Sequence, residues 1–303
     1  MLRSFLLYLS EQEGLRNFLT RRSMGRRLAK RFIAGEELKD AVRAVGALNA
    51  EGFDATLDYL GESVHAEGAA KGACRAYFGL LDRLAAGRLR SHVSIKLTQL
   101  GLAIGESLAR RHLATLCDHA TRYHNFIRID MEGSAYTEST LRVFREVNAP
   151  REVLGVVIQS YLYRSEKDVE ELLKCGARIR LVKGAYQEPP ELAFPRKADV
   201  DRNFIKLMEM LLSSGGYHAI ATHDERMIAA TQDFSRARRL SPECFEFQML
   251  YGIRRQLQRD LLRQGYRLRV YVPYGKQWYA YFMRRLAERP ANLVFLLRNL
   301  FRA

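Results

Sequence analysis

Long apolar runs are absent from the 303 residues of this sequence. No stretch reaches the roughly 20 apolar residues needed to cross a bilayer. The apolar patch from Phe5 to Leu9 is too short for the core of a signal peptide. These absences exclude the usual spanning helix, and we expect a cytoplasmic protein.

Cysteine is scarce, and the motifs of several enzyme classes are missing. The four cysteines form no Cys-x-x-Cys pair, which argues against a zinc ribbon or a redox dithiol. No Gly-x-Gly-x-x-Gly follows a strand, and no Walker loop or His-Glu-x-x-His occurs. The Rossmann, phosphate-loop and zinc-protease interpretations are thereby removed, and no metal site is predicted.

Acidic residues are in the minority, with 34 Asp and Glu against 49 Lys and Arg and a formal net charge of +15. Such a charge favours contact with anionic lipid or nucleic acid, but it is equally typical of a solvated, arginine-rich surface. The basic residues are spread along the chain. The nearest thing to a cluster comprises Arg21, Arg22, Arg26, Arg27, Lys30 and Arg31.

The chain contains eight short β-rich runs separated by stretches with helical apolar spacing, the number that a closed (β/α)8 barrel requires. The runs are residues 53–60, 92–97, 125–131, 155–160, 178–182, 217–221, 244–248 and 267–272. They predict an α/β protein with a TIM-type barrel over residues 51–303. Residues 1–50 are predicted to form additional helices packed on the barrel, one of them over residues 36–48, within a single domain overall.

Polar residues occur where most of these runs end. A barrel strand buried on both faces is expected to be nearly all apolar, and barrel chemistry lies at the carboxyl ends of strands. A strand-end charge can also reach solvent or form an internal ion pair, such as Lys96 with Asp130. Six such ends would place more cations than anions at one mouth, which suits a carboxylate-bearing ligand. The residues are Lys96, Asp130, Gln159, Arg180, Lys183, Thr222, His223 and Tyr271.

Two further sequence patterns, besides the polar strand ends, contain charged residues that suit a ligand site. On the last helix Tyr281, Arg284, Arg285 and Glu288 recur at spacings of three and four, and arginine forks hold carboxylates in two-point contact. After the fifth run, Lys183 and Gly184 combine a charge with a residue that allows close backbone approach to a ligand. Taken separately, each pattern is also typical of a surface ion pair or a plain turn.

Over nearly the whole chain, short motifs in the same order make this sequence resemble the proline dehydrogenase family in its short, single-function bacterial form. They include Ser94-Ile95-Lys96-Leu97-Thr98, Ile129-Asp130-Met131-Glu132, Arg180-Leu181-Val182-Lys183-Gly184-Ala185-Tyr186, Ala221-Thr222-His223, Phe245-Glu246-Phe247-Gln248, and Tyr281 with Arg284, Arg285 and Glu288.

The resemblance implies a substrate site for L-proline. It implies that Arg284 and Arg285 grip the proline carboxylate with Lys96 beside it, and that Tyr271 and Tyr281 wall the ring. It also implies that Glu62 pairs with Arg284 and closes the site, while Asp130 orients catalytic groups and Arg180 lies against the flavin.

The same resemblance implies FAD as the cofactor and 1-pyrroline-5-carboxylate as the product. Electrons would pass to a membrane quinone, with peripheral contact at the inner face of the membrane, and the product would be handed to a 1-pyrroline-5-carboxylate dehydrogenase. The residues implied to contact FAD are Met131, Gln159, Lys183, Gly184, Ala185, Thr222, His223 and Glu288.

Two other functions compete with this one. A flavin-free barrel enzyme such as an aldolase would need a Schiff-base lysine, for which Lys96 and Lys183 are candidates. A basic nucleic-acid-binding protein would exploit the +15 charge, although no helix-turn-helix, RNP-type or zinc-finger pattern is present. We therefore expect no nucleic-acid partner.

Overall fold

The computed structural model describes residues 29–61, 63–148 and 153–288, with the side chains of residues 286–288 excepted. Eight parallel strands in this part form one closed sheet in sequence order, and β8 pairs with β1 to close it. The strands are β1 (Asp54–Tyr59), β2 (Ser91–Ile95), β3 (Ile127–Ile129), β4 (Leu154–Gln159), β5 (Arg178–Val182), β6 (His218–Ala221), β7 (Phe245–Leu250) and β8 (Arg267–Tyr274). Each predicted run overlaps one strand, so the predicted (β/α)8 barrel is confirmed.

A helix follows each strand on the outside of the sheet, and a further helix lies directly before the first strand. The latter, α1 (Leu38–Ala50), matches the helix predicted over residues 36–48 and lies against β1 and β8. The others are α2 (Glu67–Ala86), α3 (Glu106–Arg122), α4 (Thr137–Asn148), α5 (Ser165–Lys174), α6 (Lys197–Ser213), α7 (Glu225–Ala237), α8 (Arg255–Arg263) and α9 (Trp278–Glu288).

The helices predicted within residues 1–28 lie outside the described residues, as does most of the basic cluster. The assignment of residues 1–50 to a helical layer on the barrel therefore stays a prediction. Among the residues that the structure describes, no helix has both the length and the apolar character that a membrane span needs.

The helices are held to the barrel by the outward face of the sheet. Apolar strand residues such as Leu57, Val93 and Leu181 belong to one buried cluster with helical residues such as Phe144 and Leu172. On each amphipathic helix the apolar residues recur every three or four positions, which turns one stripe toward the sheet. The main hydrophobic core is therefore the layer between sheet and helices.

The inward face of the sheet carries charged and polar side chains at the mouth and well below it, so the expectation of nearly all-apolar strands is wrong for the lumen. Well below the mouth, Arg269 Nε lies 2.9 Å from Glu246 Oε1, and Arg269 Nη2 lies 3.2 Å from Asp54 Oδ2. Tyr217 also donates to Glu246, at 3.0 Å. Buried charges are tolerated when they are paired and hydrogen-bonded, and these contacts meet that condition.

Gly155 makes room for another buried charge. It is the register partner of Arg128 across β3 and β4, and Arg128 donates to the carbonyl oxygens of Val156, at 3.3 Å, and of Arg178. A Cβ on residue 155 would press on the Arg128 guanidinium and lie 2.6 Å from the Arg178 carbonyl oxygen. Glycine is therefore required where the guanidinium crosses the strand.

We predict that Gly155→Ala lowers the free energy of unfolding by about 1–3 kcal/mol, the usual cost of overpacking a filled interior. Urea unfolding followed by far-UV circular dichroism measures the change.

Gly79→Ala is the matched control, because Gly79 lies within α2 and a Cβ there would meet nothing within 4 Å. Alanine should stabilise that helix by about 0.5–1 kcal/mol. Equal effects of the two substitutions would contradict the steric role of Gly155.

Candidate active site

Three of the strand-end residues meet in one hydrogen-bonded group at the mouth of the barrel. Arg180 Nη1 donates to Asp130 Oδ1 at 2.6 Å, and the Tyr271 hydroxyl donates to Asp130 Oδ2 at 2.7 Å. Ser94 closes the group, since its Oγ donates to Asp130 Oδ1 at 3.0 Å and accepts from Arg180 Nη2 at 3.2 Å. The guanidinium also lies over the Tyr271 ring, 5.4 Å from the centroid. Strands β2, β3, β5 and β8 thus fix the orientation of these side chains.

Lys96 lies at the same mouth, where it forms an ion pair with Asp58. Its Nζ is 3.1 Å from both carboxylate oxygens of Asp58, and both side chains are buried. The internal pair considered from the sequence, Lys96 with Asp130, is thus replaced by two pairs, Lys96 with Asp58 and Arg180 with Asp130.

Asp58 and Ser94 were not selected from the sequence, although β1 carries a usable pattern. Asp54, Thr56 and Asp58 alternate with apolar Ala55 and Leu57, the period of a strand with one polar face. Such alternation indicates a polar lumen. The β2 serine carries no comparable signal, because a small hydroxyl fits either face of a strand.

Burial shapes the protonation of this group. It raises the pKa of the Asp58 carboxyl, an effect that the nearby Lys96 ammonium opposes. Burial also raises the pKa of Tyr271 well above its usual range, and the charges of Asp130 and Asp58 add to that shift. The tyrosine is therefore a neutral hydroxyl that donates to Asp130 at all physiological pH values.

Gln159 and Met131, both assigned to FAD by the resemblance, lie on neighbouring parts of the mouth and are buried. Gln159 Nε2 donates to the Glu132 carbonyl oxygen at 3.0 Å. The Glu132 carboxylate in turn accepts from the Thr98 backbone nitrogen at 3.2 Å and from its hydroxyl at 2.5 Å. These bonds join the loops after β2, β3 and β4 into one rim.

The loop after β5 begins with Lys183, Gly184 and Ala185. Lys183 Nζ lies 2.5 Å from Asp201 Oδ1 and 2.8 Å from Asp224 Oδ2. Gly184 has φ +117°, and a Cβ there would lie 2.6 Å from Cγ of the Tyr161 ring. The glycine is therefore required both for its backbone conformation and for the close approach of Tyr161.

Thr222 and His223 follow β6 and are fixed by β7 and the loop after it. The Thr222 backbone nitrogen donates to the Gln248 carbonyl oxygen at 3.2 Å. His223 Nε2 accepts from the Leu250 backbone nitrogen at 3.1 Å, and its carbonyl oxygen accepts from Arg254 at 2.8 Å. Both residues thus lie at the mouth end of the barrel.

The predicted arginine clamp lies on α9, which is separated from β8 by three residues. Tyr281 and Arg285 are buried and Arg284 is half-buried, with the Arg285 guanidinium 5.1 Å from the centroid of the Tyr281 ring. Glu62 lies outside the described residues, and so does the side chain of Glu288. The carboxylate clamp and its gate therefore stay predictions.

The chemistry available at this mouth is that of charge and orientation. Within residues 29–61, 63–148 and 153–288 no cluster of His, Cys, Asp or Glu could hold a metal ion. A Schiff-base lysine needs a free amine, whereas the ammonium groups of Lys96 and Lys183 each form an ion pair with a carboxylate. Buried ion pairs at the carboxyl ends of the strands are typical of a (β/α)8-barrel enzyme.

Comparison with known proteins gives the family. The family model described as Proline dehydrogenase matches residues 41–298. Proline dehydrogenase 1 of Bacillus subtilis (strain 168) is 43% identical over 303 residues, 100% of both chains. Proline dehydrogenase of Deinococcus radiodurans is 42% identical over 280 residues, 91% of this chain and 90% of its own.

A solved structure agrees with these relatives. The crystal structure of proline utilization A (PutA) from Bdellovibrio bacteriovorus, inactivated by N-propargylglycine, matches with a TM-score of 0.82 and 28% identity. The match covers 86% of this chain and 32% of that longer one. The chain belongs to the proline dehydrogenase family, and it is an oxidoreductase of proline catabolism. Membership in this family decides against the aldolase activity, while the expectation of no nucleic-acid partner stays a prediction.

We predict strong coupling between Asp130 and Arg180 in a double-mutant cycle of Asp130→Asn and Arg180→Met. Each single change leaves a buried partner uncompensated and should cost about 3–5 kcal/mol, while the double variant should cost less than their sum. Urea unfolding of the four proteins measures the coupling.

The exposed pair of Arg142 and Glu106 is the control, with Nη2 and Oε1 2.6 Å apart. The cycle of Arg142→Met and Glu106→Gln should give at most about 1 kcal/mol, as surface pairs do. Additive effects at Asp130 and Arg180 would contradict a linked group at the mouth.

Proposed function

We propose that this protein oxidises L-proline to 1-pyrroline-5-carboxylate with FAD as its cofactor. The observation that carries the proposal is the mouth of the barrel, where Arg180 and Lys96 are held by Asp130 and Asp58 next to the Tyr271 ring. A small ring bearing a carboxylate suits cations that surround an aromatic wall.

The carboxylate of proline would bind to Lys96 together with Arg284 and Arg285. The arginines offer two-point contacts, and Lys96 supplies a third positive charge. Tyr271 and Tyr281 would flank the ring. Part of the binding energy would be used to orient proline. With the carboxylate fixed, the carbon that loses hydride is held on one side of the site.

The ring nitrogen of proline must be unprotonated when hydride leaves, since its lone pair forms the new double bond to carbon. Cations near the nitrogen favour loss of its proton. Asp130 would act here by holding Arg180 in a fixed position rather than by taking part in covalent chemistry. Glu62 would close the site over the substrate through an ion pair with Arg284.

The residues at the mouth suit FAD. Gly184 packs closely against the Tyr161 ring, which fixes the course of the β5 loop at the mouth, and Lys183 adds charge next to it. Arg180 Nε is buried and has no hydrogen-bond partner within the described part of the chain, so a donor is available for a ligand acceptor. Met131, Gln159, Ala185, Thr222, His223 and Glu288 would supply the remaining contacts. When bound, FAD accepts the hydride and supplies the redox chemistry.

Electrons would then pass to a membrane quinone, and the basic surface implied by the +15 charge would favour peripheral contact with anionic lipid. The product would be consumed by a 1-pyrroline-5-carboxylate dehydrogenase. Both partners are what the family resemblance implies, and the family model described as Proline dehydrogenase supports proline as the substrate.

We predict that the purified protein is yellow and that L-proline, added without oxygen, bleaches its visible absorbance. D-proline is the matched control, because it presents the same groups with the opposite handedness and should bleach far more slowly. A stable absorbance with L-proline would contradict the proposal. Recovery of the absorbance on addition of a short-chain quinone tests the acceptor, and no recovery would remove the quinone.

We also predict that Gly184→Ala weakens retention of FAD, since the new Cβ would press on the Tyr161 ring and distort the loop. The ratio of visible to ultraviolet absorbance after gel filtration measures retention.

Gly176→Ala is the control for backbone strain. Gly176 also has a positive φ, +67°, but it lies at the opposite end of β5, and a Cβ there would meet nothing within 4 Å. This variant should lose about 1–2 kcal/mol of stability and keep its FAD. Equal retention in both variants would contradict the role of Gly184.

A further inference from the structure

Asp58 is a buried carboxylate at the mouth for which the family resemblance gave no role. It lies near the end of β1, in register with Ser94 on β2 and Pro273 on β8. Its side chain is 1% exposed and that of Lys96 is 8% exposed. Because Lys96 Nζ is 3.1 Å from both carboxylate oxygens, the ammonium is centred on the carboxylate rather than resting on one edge.

The other described groups that interact electrostatically with Asp58 are carboxylates or neutral hydroxyls. They are Asp130 on β3, Tyr77 on α2, and Tyr271 and Tyr274 on β8. Arg180 on β5 contacts Asp130. Asp58 is therefore a carboxylate in direct contact with the ammonium of Lys96.

Each member of this pair stabilises the charge of the other. An ammonium buried without a counter-ion loses its proton readily, and a buried carboxyl alone takes one up. Burial does raise the pKa of the Asp58 carboxyl, and the charge of Lys96 acts against that rise. Removing either charge would take away the direct counter-ion that the other has in this pair.

We infer that Asp58 is the positioning residue of Lys96: it keeps the ammonium charged and fixed at the mouth, and so sets the alkaline limit of proline binding. The inference rests on the proposed function, in which Lys96 contacts the carboxylate of proline. The competing view is that the pair neutralises itself and serves only to fill the lumen.

The test is Asp58→Asn, which keeps the size of the side chain and removes its charge. The buried Lys96 should then lose its proton at lower pH. The pH at which the proline KM begins to rise should therefore fall by more than about one pH unit. Below that limit KM should return toward the wild-type value, and kcat should change by less than about threefold. A purely structural role would alter KM equally at all pH values.

Asp54→Asn is the matched control. Asp54 lies on the same strand and the same polar face, but it pairs with Arg90 and Arg269 toward the other end of the lumen. Its removal should leave the alkaline limit of proline binding unmoved. Asp58→Glu, which restores the charge, should move the limit back toward the wild type.

A second readout does not depend on catalysis. Protein labelled with carbon-13 at the lysine Cε positions reports the titration of Lys96 by NMR, with its signal assigned from Lys96→Arg. In Asp58→Asn this titration should move to lower pH by the same amount as the KM limit. An unmoved titration overturns the inference.

Two other outcomes are equally decisive. If the Lys96 titration moves and the KM limit does not, the link to substrate binding is overturned, while bleaching by L-proline would still support the proposed function. If Asp58→Asn does not fold, the wild-type titration decides: Lys96 should titrate no lower than the exposed lysines, and a midpoint more than about one pH unit lower overturns the inference.

Discussion

The contact between Arg180 and Asp130 is the interaction on which the mouth of the barrel depends. It joins β5 to β3, and through Ser94 and Tyr271 it extends to β2 and β8. Each member has partners that fix its direction, so the candidate site is oriented by contacts within the protein itself. Preorganisation of this kind is what orientation-based catalysis requires.

A polar lumen is costly to build, and the fold offsets that cost in two ways. Inside the sheet, charges occur as pairs with hydrogen-bonded surroundings, as in Arg269 with Glu246 and Lys96 with Asp58. Outside the sheet, a continuous apolar layer joins strands to helices and supplies the hydrophobic stabilisation. The inward face thus carries the polar groups, and the outward face supplies most of the stability. Gly155, which has no Cβ, leaves room for the Arg128 guanidinium in the lumen.

The sequence predicted the architecture well because strand and helix periods are local properties. It also selected Lys96, Asp130, Arg180 and Tyr271 from their positions at strand ends. The partners of these residues were missed, because pairing across strands depends on register and barrel closure. Asp58 and Ser94 lie 36 to 86 residues along the chain from the side chains that they contact, and no sequence spacing links residues so far apart. The roles of Glu62 and Glu288 lie beyond the described side chains and stay predictions.

The central claim is that cations at the mouth select a ligand by its carboxylate. Cyclopentanecarboxylate has the ring and acid of proline without the nitrogen, so it can bind but cannot be oxidised by the same route. Its dissociation constant can be measured from changes in the visible spectrum of the purified protein. It should be at least about tenfold lower than that of cyclopentanecarboxamide, because hydrogen bonds to a charged carboxylate are stronger than those to a neutral amide by at least that factor. Equal affinities for the acid and the amide would contradict the account.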